Sequence, residues 1–161
     1  MVARTEYDKR DGLQAELHLT YGQVYNTNID SAGDIFVEIS DDGEKTLAFV
    51  EYKNDKELIK PFLLRAIKND CDKLDKPFYL SILYRKPMIH YYLVPLNDQA
   101  RKLPNMSQPK FWTEKQYVWL LHHLRNKKMR KEQLDKFSHE LPNPLSPLNP
   151  YLCNIKEFIK E

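Results

Sequence analysis

The stretch "LAFVEYKND", residues 47–55, sets Glu51 and Lys53 two apart in a run that otherwise reads as a buried β-strand. Successive strand side chains alternate between faces. Leu47, Phe49, Glu51 and Lys53 therefore share one face, and Ala48, Val50 and Tyr52 share the other. Upstream, "GDIFVEI" (33–39) is a second compact strand signal, with Asp34 at its start. The intervening "SDDGEKT" has the Asp- and Gly-rich chemistry of a hairpin loop, so the chain is expected to return antiparallel. The start of the first strand then lies beside the end of the second, which sets Asp34 next to Glu51 and Lys53. Carboxylates crowded together repel, raising at least one pKa, and a single ammonium neutralises them only in part. Such a group makes electrostatic sense mainly with a cation bound. On its own, a Glu-x-Lys is an ordinary surface ion pair, and Asp34 on its own is an ordinary loop cap.

Further elements must hold that hairpin. Residues 5–21 carry Leu13, Leu17 and Tyr21 at helical spacing behind a Thr5–Asp8 capping signal, and Gly22 closes the helix. Glu16 stands beside its buried stripe, and "QVYNT" reads as a short strand. "NDKELIKPFLLRAIKNDCDKL" reads as a helix with Ile59, Phe62, Leu63, Ala66 and Ile67 inward, its regular part started or kinked by Pro61. Two strands follow, "FYLSILYR" (78–85) and "IHYYLVPL" (89–96), joined by a turn around Lys86-Pro87. In "FWTEKQYVWLLHHLR", Thr113 is the N-cap and Gln116 completes a capping box, while Trp112 can staple onto Tyr117. Tyr117, Leu120, Leu121 and Leu124 form the buried stripe of that helix. The sequence thus predicts an α+β (mixed α/β) domain over residues 1–140, a central mixed sheet flanked by helices with the hairpin carrying the site. Residues 141–161 form a proline-rich C-terminal arm.

Asp34 opening one strand and Glu51-Tyr52-Lys53 ending the next resembles the PD-(D/E)xK nuclease superfamily. The superfamily core is a helix, a three-stranded meander, a second helix and a further strand, a restriction-endonuclease-like fold. The resemblance covers roughly residues 10–96, and the helix at 113–126 is similar to additions in its resolvase-like and restriction-enzyme-like members. Gly33 stands where the superfamily has a proline, a departure that removes no ligand. This is the one Glu-x-Lys in the 161 residues.

The resemblance implies a Mg²⁺- or Mn²⁺-dependent endonuclease that hydrolyses DNA. Asp34 and Glu51 would hold the metal, with the Tyr52 carbonyl as an extra ligand and Glu16 as an additional acid. Lys53 would orient the attacking water and neutralise charge. Small members tend to act as homodimers or higher homo-oligomers, and the arm is a candidate for reaching across such an interface. Phosphate contacts are expected from Lys56 and Lys60, and from the basic run that includes Arg125, Lys127, Lys128 and Arg130. RNA as substrate stays open, as do restriction, homing, junction-resolving and repair roles. The rival is a non-catalytic nucleic-acid-binding or assembly module that keeps the fold.

Composition narrows the field. With 161 residues and 42% hydrophobic content, one domain with a real core is expected. Four glycines and no G-x-x-x-x-G-K or G-x-G-x-x-G argue against a phosphate-cradling loop. The net charge of +2 means that any nucleic-acid surface must come from uneven distribution. Cys71 and Cys153 lack zinc-site spacing and are expected to stay reduced. No apolar run approaches membrane-spanning length and "MVARTEYDKRDG" has no signal-peptide core, so a soluble intracellular protein without a membrane partner is expected. His18 and His90 are each solitary, while the adjacent His122 and His123 cannot face the same way on a helix. The latter pair is read as surface or phosphate-contact residues.

Overall fold

Alternation of period two, legible in residues 47–53, organises the whole sheet. The computed structural model describes residues 35–39 (as backbone), 44–126, 141 and 145–159. Its strands are β1 (Ile35–Ile39), β2 (Thr46–Asn54), β3 (Phe78–Tyr84), β4 (His90–Pro95) and β5 (Lys110–Thr113). They lie side by side in that order in one five-stranded sheet. β1 runs antiparallel to β2 with Ile35 opposite Glu51 and Val37 opposite Phe49, and a bulge falls at Glu38/Ile39. β2 and β3 are parallel, with Glu51 against Leu80 and Lys53 against Ile82. The remaining pairs are antiparallel. This is the expected mixed sheet flanked by helices.

A parallel pair needs a long crossover, and α1 (Pro61–Lys73) supplies it. The regular helix starts at Pro61, one of the two outcomes expected there, because a proline ring fits the first turn, where its missing N–H costs nothing. That start changes the buried stripe. Leu64, Ile67 and Cys71 face the sheet, with Ile59 buried just before the helix, while Phe62 and Ala66 face outward and Leu63 is half-buried. The expectation of Phe62, Leu63 and Ala66 inward is corrected by that phase.

Odd and even positions of β2 enter two separate cores. Phe49 joins Leu80, Ile82 and Tyr84 beneath α1. Ala48, Val50 and Tyr52 join Tyr79, Leu83 and Tyr91 beneath α3 (Glu114–Leu124). The capping box of α3 forms as expected: Thr113 Oγ1 accepts from Gln116 N at 3.1 Å, and Gln116 Oε1 accepts from Thr113 N at 2.9 Å.

Two elements escape sequence reading, β5 and the four-residue helix α2 (Asp98–Arg101). Both are too short to show a period. Asn97, which caps α2, is a fully buried junction. Its Oδ1 accepts from Phe78 N and Ala100 N, both at 3.0 Å, and its Nδ2 donates to Lys76 O at 2.8 Å.

The C-terminal segment, set apart by its prolines as an arm, returns to the domain. Its 3₁₀ helix (Pro150–Phe158) buries Ile155 and Phe158 in the α1 core, and Arg65 pairs with Glu157 at 2.6 Å. Asn149, 2% exposed, fastens it. Its backbone N–H donates to the Tyr84 hydroxyl at 2.9 Å, and its Nδ2 donates to the carbonyls of Asn54 (3.2 Å) and Glu57 (3.0 Å).

His122 is buried at 4% exposure, with Nδ1 bonded to Val118 O at 3.2 Å, which corrects the surface reading. His123 is exposed, as expected. Burial holds the His122 imidazole below its ordinary 6.5, with Arg125 also lowering it against the opposing Val118 bond. The unfolded chain takes up a proton here that the folded chain refuses, so stability is lost as pH falls below about 6.5. We expect His122→Gln to flatten the pH dependence of the urea midpoint below that value. Thr113→Ala should cost about 1 kcal/mol in the same measurement, through loss of the cap.

Candidate functional site

Glu51 reaches its place through strand register. It lies on the α1 face of β2, beside Phe49 and against Leu80, and is 4% exposed. Two residues on, along the same face, Lys53 brings Nζ to 3.4 Å from Glu51 Oε1. The two side chains are 5% and 19% exposed, so the ammonium forms the solvent-side lid of a buried carboxylate. Strand periodicity predicted this pair, and the structure joins it.

A third charge enters from beyond the strand. Glu57 Oε2 lies 3.8 Å from Lys53 Nζ. Glu57 is aimed by its own turn: Oε1 accepts from Asn54 N at 3.0 Å and from Asn54 Nδ2 at 2.7 Å. Asn149 clamps both carbonyls of that turn from the C-terminal segment. Sequence reasoning missed Glu57 because this stretch was expected to be helical. An Asn three residues before a Glu at a strand end was the available signal.

Of the other expected site residues, Tyr52 occupies the position between the pair, but its ring points to the opposite core. There its hydroxyl hydrogen-bonds with that of Tyr117. Lys56 and Lys60 are exposed in the segment joining β2 to α1, close in sequence to the acidic pair. Arg125 does not join them. It caps α3 beneath the other face, where Nη1 donates to Leu121 O at 3.2 Å. Asp34, Glu16, Lys127, Lys128 and Arg130 lie outside the described residues. β1 begins with Ile35 opposite Glu51.

Among the described residues, no three His, Cys, Asp or Glu side chains gather as a metal-binding group. The carboxylates at hand are Glu51 and Glu57, an oxygen-only set. That chemistry fits part of a Mg²⁺ or Mn²⁺ shell, in which one or two carboxylates are completed by waters and phosphate. It does not fit zinc. Cys71 is no nucleophile either: burial, with Asp72 and Asp70 adding, pushes its thiol up to about 12. No helix of the described residues is long and apolar enough to cross a membrane. Comparison with protein-family profiles, characterised proteins and solved structures finds no match to this chain.

A buried carboxylate stripped of its ammonium is an uncompensated charge. We expect Lys53→Met to lower unfolding free energy by about 1–3 kcal/mol, a range reduced for the partial exposure of Lys53. Glu51→Gln combined with Lys53→Met should recover most of that loss in a urea-denaturation cycle.

Proposed function

We propose that this chain is a metal-dependent endonuclease that hydrolyses DNA phosphodiester bonds with Mg²⁺ or Mn²⁺. The observation that carries the reading is Glu51, buried on a sheet face and bridged by Lys53 at the C-terminal end of β2. The element order around it supports the same reading: an antiparallel hairpin, a crossover helix and a parallel strand. That is the order expected of a PD-(D/E)xK core from the last two strands of its meander onward. The C-terminal ends of parallel strands are also where open mixed sheets place ligands.

In this reading Glu51 and Asp34 hold the cation, with the Tyr52 carbonyl and Glu16 completing its protein ligands. The cation supplies charge stabilisation at the phosphate and lowers the pKa of water. Lys53 holds the attacking water and favours its deprotonated form. Its ammonium, already placed between two carboxylates, also neutralises charge developing on the phosphate. Lys56 and Lys60 contact the backbone on either side. Cutting two strands takes two such sites, which a homodimer provides.

The second reading is a nucleic-acid-binding module without chemistry, in which Lys53, 3.4 Å from Glu51, serves only as its counter-ion. Cleavage of plasmid, single-stranded, branched DNA and RNA, with Mg²⁺ or Mn²⁺ against EDTA, separates the two. We expect metal-dependent DNA cleavage that drops at least about 100-fold in Asp34→Ala, Glu51→Gln and Lys53→Ala. Binding without cleavage in any metal, unchanged by Asp34→Ala or Lys53→Ala, returns the module. Light scattering should give twice the chain mass, and a monomer counts against the two-site arrangement.

A further inference from the structure

A second constellation lies on the other side of the sheet, away from Glu51 and Lys53. A cavity of about 250 Å³ is lined by Asn105, Lys110, Trp112, Lys115, Gln116 and Trp119. Both tryptophans of the chain stand in its wall. Their rings are 6.5 Å apart at 31°. Lys110 Nζ sits 5.0 Å from the Trp112 ring centre, and exposed His123 stacks on Trp119 at 5.1 Å and 22°. No carboxylate is among the described residues that line it.

Register and helix phase explain the gathering. Trp112 is opposite Tyr91 on β5, which turns it toward the α3 core. Lys110, two residues earlier on the same strand, shares its face. Lys115 and Trp119 are four apart on α3, so they stand one above the other beside it. β5 is separated from β2 by two strands, roughly 14 Å at ordinary strand spacing, and the cavity opens on the opposite face. It belongs to neither the acidic pair nor its clamp.

The wall chemistry is specific in kind. Flat aromatic rings attract a flat partner, two ammonium groups attract an anion, and two amides offer donors and acceptors for ring edges. Trp112 also carries a buried Nε1–H with no acceptor among the described residues. The volume is slightly below the roughly 300–1,000 Å³ of pockets for drug-sized ligands, which suits one base with its phosphate and excludes a duplex. A paired base has both faces covered, so only an unpaired one can stack here.

We propose that this cavity binds a single nucleotide, with the base stacked on Trp119 and the phosphate held by Lys110 and Lys115. A free nucleoside monophosphate and an unpaired residue of a single strand present this same chemistry. The site does not depend on the cleavage reading and would serve a catalytic or a non-catalytic chain alike.

Because both tryptophans line the cavity, intrinsic fluorescence reports its occupancy directly. The test is a titration of the full chain, in EDTA so that no cleavage intervenes, with AMP, dTMP, a ten-residue oligothymidylate, a ten-base-pair duplex and inorganic phosphate. Saturable quenching by a mononucleotide assigns a free-nucleotide site, and quenching by the single strand alone assigns a strand-borne one. In either case Lys115→Gln, which leaves the core intact, and Trp119→Leu should weaken binding about tenfold or more, with Trp119→Phe restoring part of it. Binding by the variants is read by anisotropy of labelled ligand, with thermal melting to confirm that they fold. No saturable quenching, equal response to the duplex or to phosphate alone, or unchanged affinity in both variants overturns the assignment.

Discussion

A carboxylate with 4% exposure on an apolar sheet face is the constraint around which this chain is arranged. Phe49 and Leu80 beside Glu51 leave it no solvent, so its charge needs a partner within reach. Lys53 supplies one at 3.4 Å, and strand period puts that ammonium on the correct face without any loop. Replacing such a pair by apolar side chains of similar volume would in general keep or raise stability. The pair is therefore poorly explained as a device for holding the fold together. The same reasoning makes Glu57 part of the arrangement. With one ammonium between two acids, the cluster is still net negative.

The sheet separates two kinds of chemistry. On the α1 face the polar groups are charged, acidic and clamped by amides from distant parts of the chain. On the α3 face Tyr52 meets Tyr117, and Tyr91 stacks on Tyr117 at 4.3 Å. Further along, Lys110 of β5 and Lys115 and Trp119 of α3 are half-buried beside the buried Trp112. Residues one apart on β2 therefore meet different surroundings, Tyr52 the aromatic core and its neighbours an ion pair.

Much of this was readable from residue order. Alternation in "LAFVEYK" assigned Glu51 and Lys53 to one side and Tyr52 to the other, and the Thr113–Gln116 box marked the start of α3 to the residue. What escaped was either short or remote. β5 and α2 have four residues each, less than any period can register. The role of Glu57 depends on a turn, and the turn depends on Asn149. No local pattern links residues so far apart. His122 was misjudged although the start of α3 was right, because the buried arc is wider than the expected stripe and takes in Val118 and His122, four apart. The inward stripe of α1 was misjudged because Leu64, Ile67 and Cys71 face the sheet in place of Phe62, Leu63 and Ala66.

The bond from Asn149 to Asn54 spans 95 positions, and its order in time follows from that separation. On a ribosome adding about 5–20 residues per second, Asn54 emerges roughly 5–20 seconds before its clamp has been made. The hairpin and the parallel strand have ample time to form in that interval, since such events take microseconds to seconds. The turn carrying Glu57 has its own local bonds by then, and only the Asn149 clamp must wait. The nascent chain thus has its scaffold well before Asn149 fastens the end of β2 to the C-terminal segment.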